Sequence, residues 1–153
     1  MSVRVAAKIL NLSSLQKKLA AIDKDSQKMM VKSIQQATFL LHKTAIELVQ
    51  ANSGGTSQVR YTNGRSRVVN ASKPGNPPNT DTGRLVQSIK FDFEDGGLTG
   101  RVGTNLRYGA WLEFGTKDMA PRPWLSTALS MVSKKVADIF YKAAKEVIKG
   151  VGK

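Results

Sequence analysis

The chain has no cysteine and one histidine, His42. The first absence removes disulfides, thiolate metal sites and cysteine nucleophiles together, and it fits a protein made in a reducing cytosol. The second leaves His42 without the partner His or Cys that a zinc site or a relay needs. Lying mid-helix between Leu41 and Lys43, it reads as a helix-surface or boundary residue. Acids are scarce as well, 11 Asp and Glu against 24 Lys and Arg, for a net charge of +13. The cluster Asp92, Glu94 and Asp95 offers too few ligands for a hard cation. Asp92 and Glu94 fall on the strand face opposite Phe91 and Phe93, where they read as solvent-facing charges that discourage edge pairing. No apolar run approaches the length that spans a bilayer. The N-terminal "MSVRVAAKILNLSSLQKK" lacks the apolar core and cleavage site of a signal peptide, so none is expected. Gly97, Gly100 and Gly103 sit in a hairpin, and "GTK" at 115–117 lacks the surroundings of a phosphate loop. No catalytic set emerges, and the expectation is a protein that is not an enzyme and carries no cofactor and no metal.

What is present is an ordered pattern of elements within 153 residues, a length that suits one domain over 1–153. "SVRVA" at 2–6 alternates weakly, as a short edge strand does. Helical spacing runs through Leu12, Leu15, Leu19 and Ile22, and again through Met30, Ile34, Ala37, Leu41, Ala45 and Leu48. A helix over 14–50 follows, with Ser13 and Gln16 at capping-box spacing and "DKDS" at 23–26 as a place to break. The glycines of "NSGG" stop it. "DTGRLVQSI" gives a short helix over 83–88 capped by Asp81 or Thr82. "IKFDFED" reads as a strand with Ile89, Phe91 and Phe93 on one face, Gly96-Gly97 as a turn, and "LTGRVGT" as its partner. After Pro123 a last helix runs to about Lys149, with Leu125, Ala128, Leu129, Val132, Val136, Ile139, Ala143 and Val147 as its stripe. The fold class is α+β: a long N-terminal helix, a small antiparallel sheet with a protruding basic hairpin loop, and a long C-terminal helix packed on the sheet and on the first helix.

The hairpin loop spans 53–80. Asn63-Gly64 between two β-rich runs is the sequence of a type I′ turn. Residues 51–80 contain Arg60, Arg65, Arg67 and Lys73 and no acid. Arginines on a protruding ribbon have no core role, so these four are candidate contacts to phosphate or to an acidic partner protein.

The segment "YGAWLEFGTKDMAPRPWL" (108–125) gathers Tyr108, Trp111, Phe114 and Trp124 around Glu113. Spacings of three and four predict that Tyr108, Trp111, Leu112 and Phe114 bury one face against the strands carrying Phe91 and Phe93. Gly115 then ends the turn, Pro121 and Pro123 keep the crossing extended, and Trp124 closes over the core. Glu113 reads as a structural acid at this corner, paired with Arg84 or Arg122 within a subunit or across an interface.

Three segments in order, "PGNPPNTDTGRLVQSI" (74–89), "VGTNLRYGAWLEFGT" (102–116) and "MAPRPWLSTAL" (119–129), resemble the tail-component family of lambdoid and other long-tailed bacteriophages. Trp124 stands where Phe is commoner in that family, and the 51–73 insert is longer than the pattern requires. The resemblance implies a structural virion protein assembled in the bacterial host cytoplasm. It implies a homo-oligomeric ring, commonly a hexamer, at the head–tail junction, with head-connector and tail-tube or tail-terminator proteins as partners and the genomic DNA passing through. The alternatives are a tail terminator that caps the tube, or a non-specific nucleic-acid-binding module, since positive charge of this size suits phosphate. A basic last helix lying on a membrane is the remote alternative; its stripe is better explained by core packing.

Overall fold

The structure, a computed structural model, describes residues 5–8, 24–51 and 54–151. Its elements are β1 (Val5–Lys8), α1 (Lys24–Gln50), β2 (Gly55–Thr62), β3 (Arg65–Ser72), α2 (Arg84–Ser88), β4 (Lys90–Glu94), β5 (Thr99–Thr104), α3 (Arg107–Phe114) and α4 (Leu125–Val151). The predicted α+β class holds, with the strands in two small antiparallel sheets. The expected start of the first helix, its Ser13–Gln16 cap and residues 2–4 of the first strand lie outside the described residues.

The three-stranded sheet has the order β1-β5-β4. Thr99–Thr104 is central, so its backbone is paired on both sides, with Val5 opposite Thr104 and Phe91 opposite Val102. A short turn, Asp95–Gly97, joins β4 to β5, with Asp95, Gly96 and Gly97 all at positive φ. The glycines adopt that region without steric cost. Asp95 is held there by a hydrogen bond from the Thr99 hydroxyl to its carboxylate at 2.6 Å.

Helix α1 forms because its apolar residues recur at three and four. Ile34, Ala37, Leu41, Ala45 and Val49 are buried in one line. That line faces β5 and α4. Helix α4 runs mainly along α1 and meets the sheet at β1, burying Leu125, Ala128, Val132 and Val136. The later stripe positions Ile139, Ala143 and Val147 are only half-buried. One cluster joins α1, α2, β5, α3 and α4, with Val102, Trp124 and Leu85 at its centre. His42 is half-buried at its edge, as expected of a boundary residue. Its Nε2 lies 3.1 Å from the Ile89 carbonyl and its ring meets Phe91 edge-on. Phe39, Phe91 and Phe93 pack beside it with ring centroids 4.9–6.0 Å apart.

The α1–β5 contact depends on Gly100. A Cβ at that position would overlap the Thr38 side chain, whose hydroxyl donates to the Ile34 carbonyl at 2.7 Å in a fully buried site. Gly100→Ala is therefore expected to destabilise by about 1–3 kcal/mol, the usual cost of overpacking. Urea unfolding checks this, and a change within about 0.5 kcal/mol would show that helix and sheet can separate freely.

Candidate functional site

Two regions carry the residues singled out by sequence: the corner between α3 and α4, and the hairpin with the cleft at its base.

The corner begins with α3, whose residues are distributed differently from the prediction. Gly109, Ala110 and Glu113 face inward, Tyr108 and Leu112 flank them half-buried, and Trp111 and Phe114 point outward with 47% and 74% of their surface exposed. The aromatic pair does not pack on Phe91 and Phe93, which are occupied by Phe39 and His42. The reason is Gly109. The helix lies so close to β5 and α2 that a Cβ there would come within 2.5 Å of a Thr104 methyl and 3.2 Å of Leu85. A glycine, not an aromatic, marks the face turned to the core, and one helical turn then places Trp111 and Phe114 on the far side.

Glu113 is 7% exposed and forms no ion pair with Arg84 or Arg122. Its Oε2 accepts from the backbone N–H groups of Trp124 and Leu125, each at 2.8 Å, and its Oε1 from that of Ser126 at 2.9 Å. These are donors that a helix start leaves without partners. A carboxylate also suits the positive end of the helix dipole. Glu113 is thus the N-terminal cap of α4, supplied from eleven residues upstream of Trp124 rather than from the capping position itself. The Trp124 carbonyl accepts the first helical bond, from Ala128 at 3.1 Å, so the helix starts after Pro123, which stays in the extended crossing. Trp124 is fully buried, and its indole N–H donates to the Gly109 carbonyl at 3.2 Å.

The connection is held in place as well. Gly115 has φ 77°, and a Cβ there would approach the Met119 carbonyl to 2.8 Å. The Arg122 N–H donates to the Leu112 carbonyl at 2.6 Å. The Arg122 side chain points away from Glu113 and donates through Nε to the Ser72 carbonyl at 3.1 Å. Arg84 is exposed on α2 near Tyr108. Burial pushes the Tyr108 phenol above its usual range; Arg84 opposes that shift and Asp81 reinforces it.

The hairpin turns at Asn63-Gly64 with φ of 51° and 73°, both positive as a type I′ turn requires. Arg60 lies directly opposite Arg67, a pairing of like charges that is unfavourable alone. Asp81 resolves it: Arg60 Nη1 reaches one carboxylate oxygen at 3.1 Å and Arg67 Nη2 the other. Neither Asp81 nor Thr82 caps α2, whose N-cap is Gly83 in the left-handed region with no side-chain bond. These exposed ion pairs contribute about 1 kcal/mol or less, yet they turn two of the three hairpin arginines toward the body of the molecule. Arg65 near the tip and Lys73 beyond β3 remain exposed. The opposite face of the ribbon is apolar: Val59 pairs with Val68 beside Tyr61, and the three are 55%, 69% and 80% exposed. The period-two separation of Val59 and Tyr61 from Gln58 and Arg60 is the sequence signal for this face. The charge pattern alone does not reveal it.

At the hairpin base, Asn79 donates to the carbonyls of Asn70 and Gly54, and Thr80 donates to the Val49 carbonyl at 2.6 Å. Between this base, α2 and α3 opens a cleft of about 500 Å³ lined by Val49, Arg60, Val69, Arg84, Tyr108 and Arg122, among others. Among the described residues no group of three or more His, Asp or Glu comes together that could hold a metal ion, and no helix is long and apolar enough to cross a membrane.

The class to which this arrangement belongs is given by comparison with protein families. Residues 13–115 match the family described as "Bacteriophage HK97-gp10, putative tail-component". The match covers more than half of the chain, and the chain belongs to this bacteriophage tail-component family. It takes in the hairpin and all of α3 and ends at Gly115, so the 119–129 segment and α4 lie beyond it. Neither a curated protein nor a solved structure matches significantly.

Proposed function

We propose that the chain is a structural virion protein of the bacteriophage head–tail junction, a neck or tail-completion subunit that forms a ring joining the tail tube to the head connector around the DNA channel. The observation that carries this reading is the outward pair Trp111 and Phe114. Large aromatics exposed together on a helix are the residue types that anchor protein interfaces. This helix is fixed in orientation by the Glu113 and Trp124 bonds beneath it, so the pair is presented without a further ordering cost. Family membership supplies the tail setting. The surplus of positive charge suits a channel through which DNA passes, because contacts to phosphate carry no sequence preference and weaken with salt.

The terminator reading uses the same surface on an uncapped tube, and the order of assembly separates the two: a terminator joins before the tube stops growing. A nucleic-acid-binding module is less well supported, since Asp81 holds Arg60 and Arg67. The test is light scattering of the purified protein, alone and with tail tubes, for wild type and for Trp111→Ser/Phe114→Ser. Wild type is expected to form rings or to join tails. The double variant is expected to keep its melting temperature and do neither. A wild-type chain that stays monomeric and never joins tails overturns the proposal.

A further inference from the structure

We infer that the cleft between the hairpin base, α2 and α3 receives an acidic, partly apolar segment of a partner protein. This rests on the junction reading above for the kind of partner, and on the cleft itself for the chemistry. Its lining includes three arginines, Arg60, Arg84 and Arg122, and one acid, Asp81. That acid is shared between Arg60 and a fourth arginine, Arg67. Positive charge is therefore in surplus around the opening. The floor is apolar, made by Val49, Val69, Leu85 and Leu112. In the wall, Ser72 is buried, with its hydroxyl closed off from the opening. Arg122 is pinned beside it through the Ser72 carbonyl.

A carboxylate with neighbouring apolar side chains answers both features. Arginine engages a carboxylate through paired donors, while the floor takes the apolar part of the segment. A nucleic-acid backbone offers charge without apolar side chains and leaves that floor uncovered. The chain's own acidic stretch is a poor occupant. Glu94 is paired with Arg101 and Asp95 with Thr99. The adjoining turn lies against Val31, at the far end of α1 from Val49, about 27 Å away at the helical rise per residue. A second copy would offer the same engaged Glu94 and Asp95, and the occupant we commit to is a different chain.

The experiment selects binders from a random peptide library on the full-length protein at physiological salt, and maps the enriched peptides by amide NMR shifts. Enriched sequences are expected to carry Asp or Glu beside apolar residues and to shift the signals of Ser72, Arg84, Tyr108 and Leu112. Arg84→Glu weakens them at least about tenfold, a loss of one charge-assisted contact. Asp81→Asn, which removes the competing acid, strengthens them; a misfolded variant would not produce that gain. Neutral or basic enriched peptides, enriched peptides that map elsewhere, or duplex DNA shifting the cleft signals at this salt overturn the inference. So does a failure to enrich any peptide. A chain that joins tails yet yields no cleft binder overturns the cleft alone. A cleft binder from a chain that never joins tails overturns the junction reading alone.

Discussion

Glu113→Ala is expected to destabilise the fold by roughly 3 kcal/mol or more. The figure combines the loss of a helix N-cap, about 1 kcal/mol, with the stranding of buried donors at about 1–3 kcal/mol each. The Trp124 and Leu125 amides that Oε2 accepts are both in buried residues, so water does not replace the carboxylate there. Against a total stability of about 5–15 kcal/mol this is a large fraction. Glu113→Gln behaves differently, because one amide oxygen can still accept from Trp124 and Leu125 while the NH2 group faces the Ser126 N–H. Its expected cost is about 1–2 kcal/mol. Urea unfolding checks both, with the midpoint falling in the order wild type, Gln, Ala at an unchanged slope. A Glu113→Ala chain as stable as wild type would show that the α4 amides find other partners. Failed assembly of a Glu113 variant is then no evidence that the acid lies at an interface, because the variant also loosens the base on which Trp111 and Phe114 stand.

The corner shows where sequence reasoning reached and where it stopped. That Glu113 is structural was legible from its lack of catalytic partners. Its partner was not, because backbone amides carry no sequence label, and the sequence pointed instead to Arg84 or Arg122. Long helices were legible because a stripe of Ile34, Ala37, Leu41 and Ala45 needs no tertiary knowledge, although Val49 and not the expected Leu48 completes the buried line. The facing of α3 was not legible, because eight residues give barely two turns and the aromatics outweighed Gly109 in any hydrophobic count. Only the closeness of Thr104 and Leu85 makes the glycine face the inner one.

The hairpin divides in the same way. Asn63-Gly64 specified its turn and register by itself, since a two-residue loop with both φ positive has few alternatives. The use of its arginines depended on Asp81, which follows the acid-free run by one residue but sits beside it only in the fold. The ribbon therefore has two unlike faces: an exposed apolar one with Val59, Tyr61 and Val68, and a basic one that looks onto the cleft.

The chain's two tryptophans are expected to respond in opposite ways, and the difference tests the corner as a whole. Trp124 is fully buried between α3 and α4, with its indole bonded to Gly109. Trp124→Ala is expected to cost about 3–5 kcal/mol, the range for emptying a large aromatic site, and to leave the chain marginal or unfolded at growth temperature. Trp124→Phe keeps most of the ring and loses the indole bond, for about 1–2 kcal/mol. Trp111 is half-exposed, so Trp111→Ser is expected to move stability by no more than about 0.5 kcal/mol. Intrinsic fluorescence reads the two sites separately, because no other tryptophan is present. In the unassembled Trp124→Phe subunit the remaining emission is that of a solvent-exposed indole, quenched by iodide. In Trp111→Ser it is that of a buried indole, shielded until the protein unfolds. A Trp111→Ser chain whose emission is still readily quenched would mean that α4 does not close over Glu113. The cap, the buried indole and the fixed presentation of α3 would then fail together.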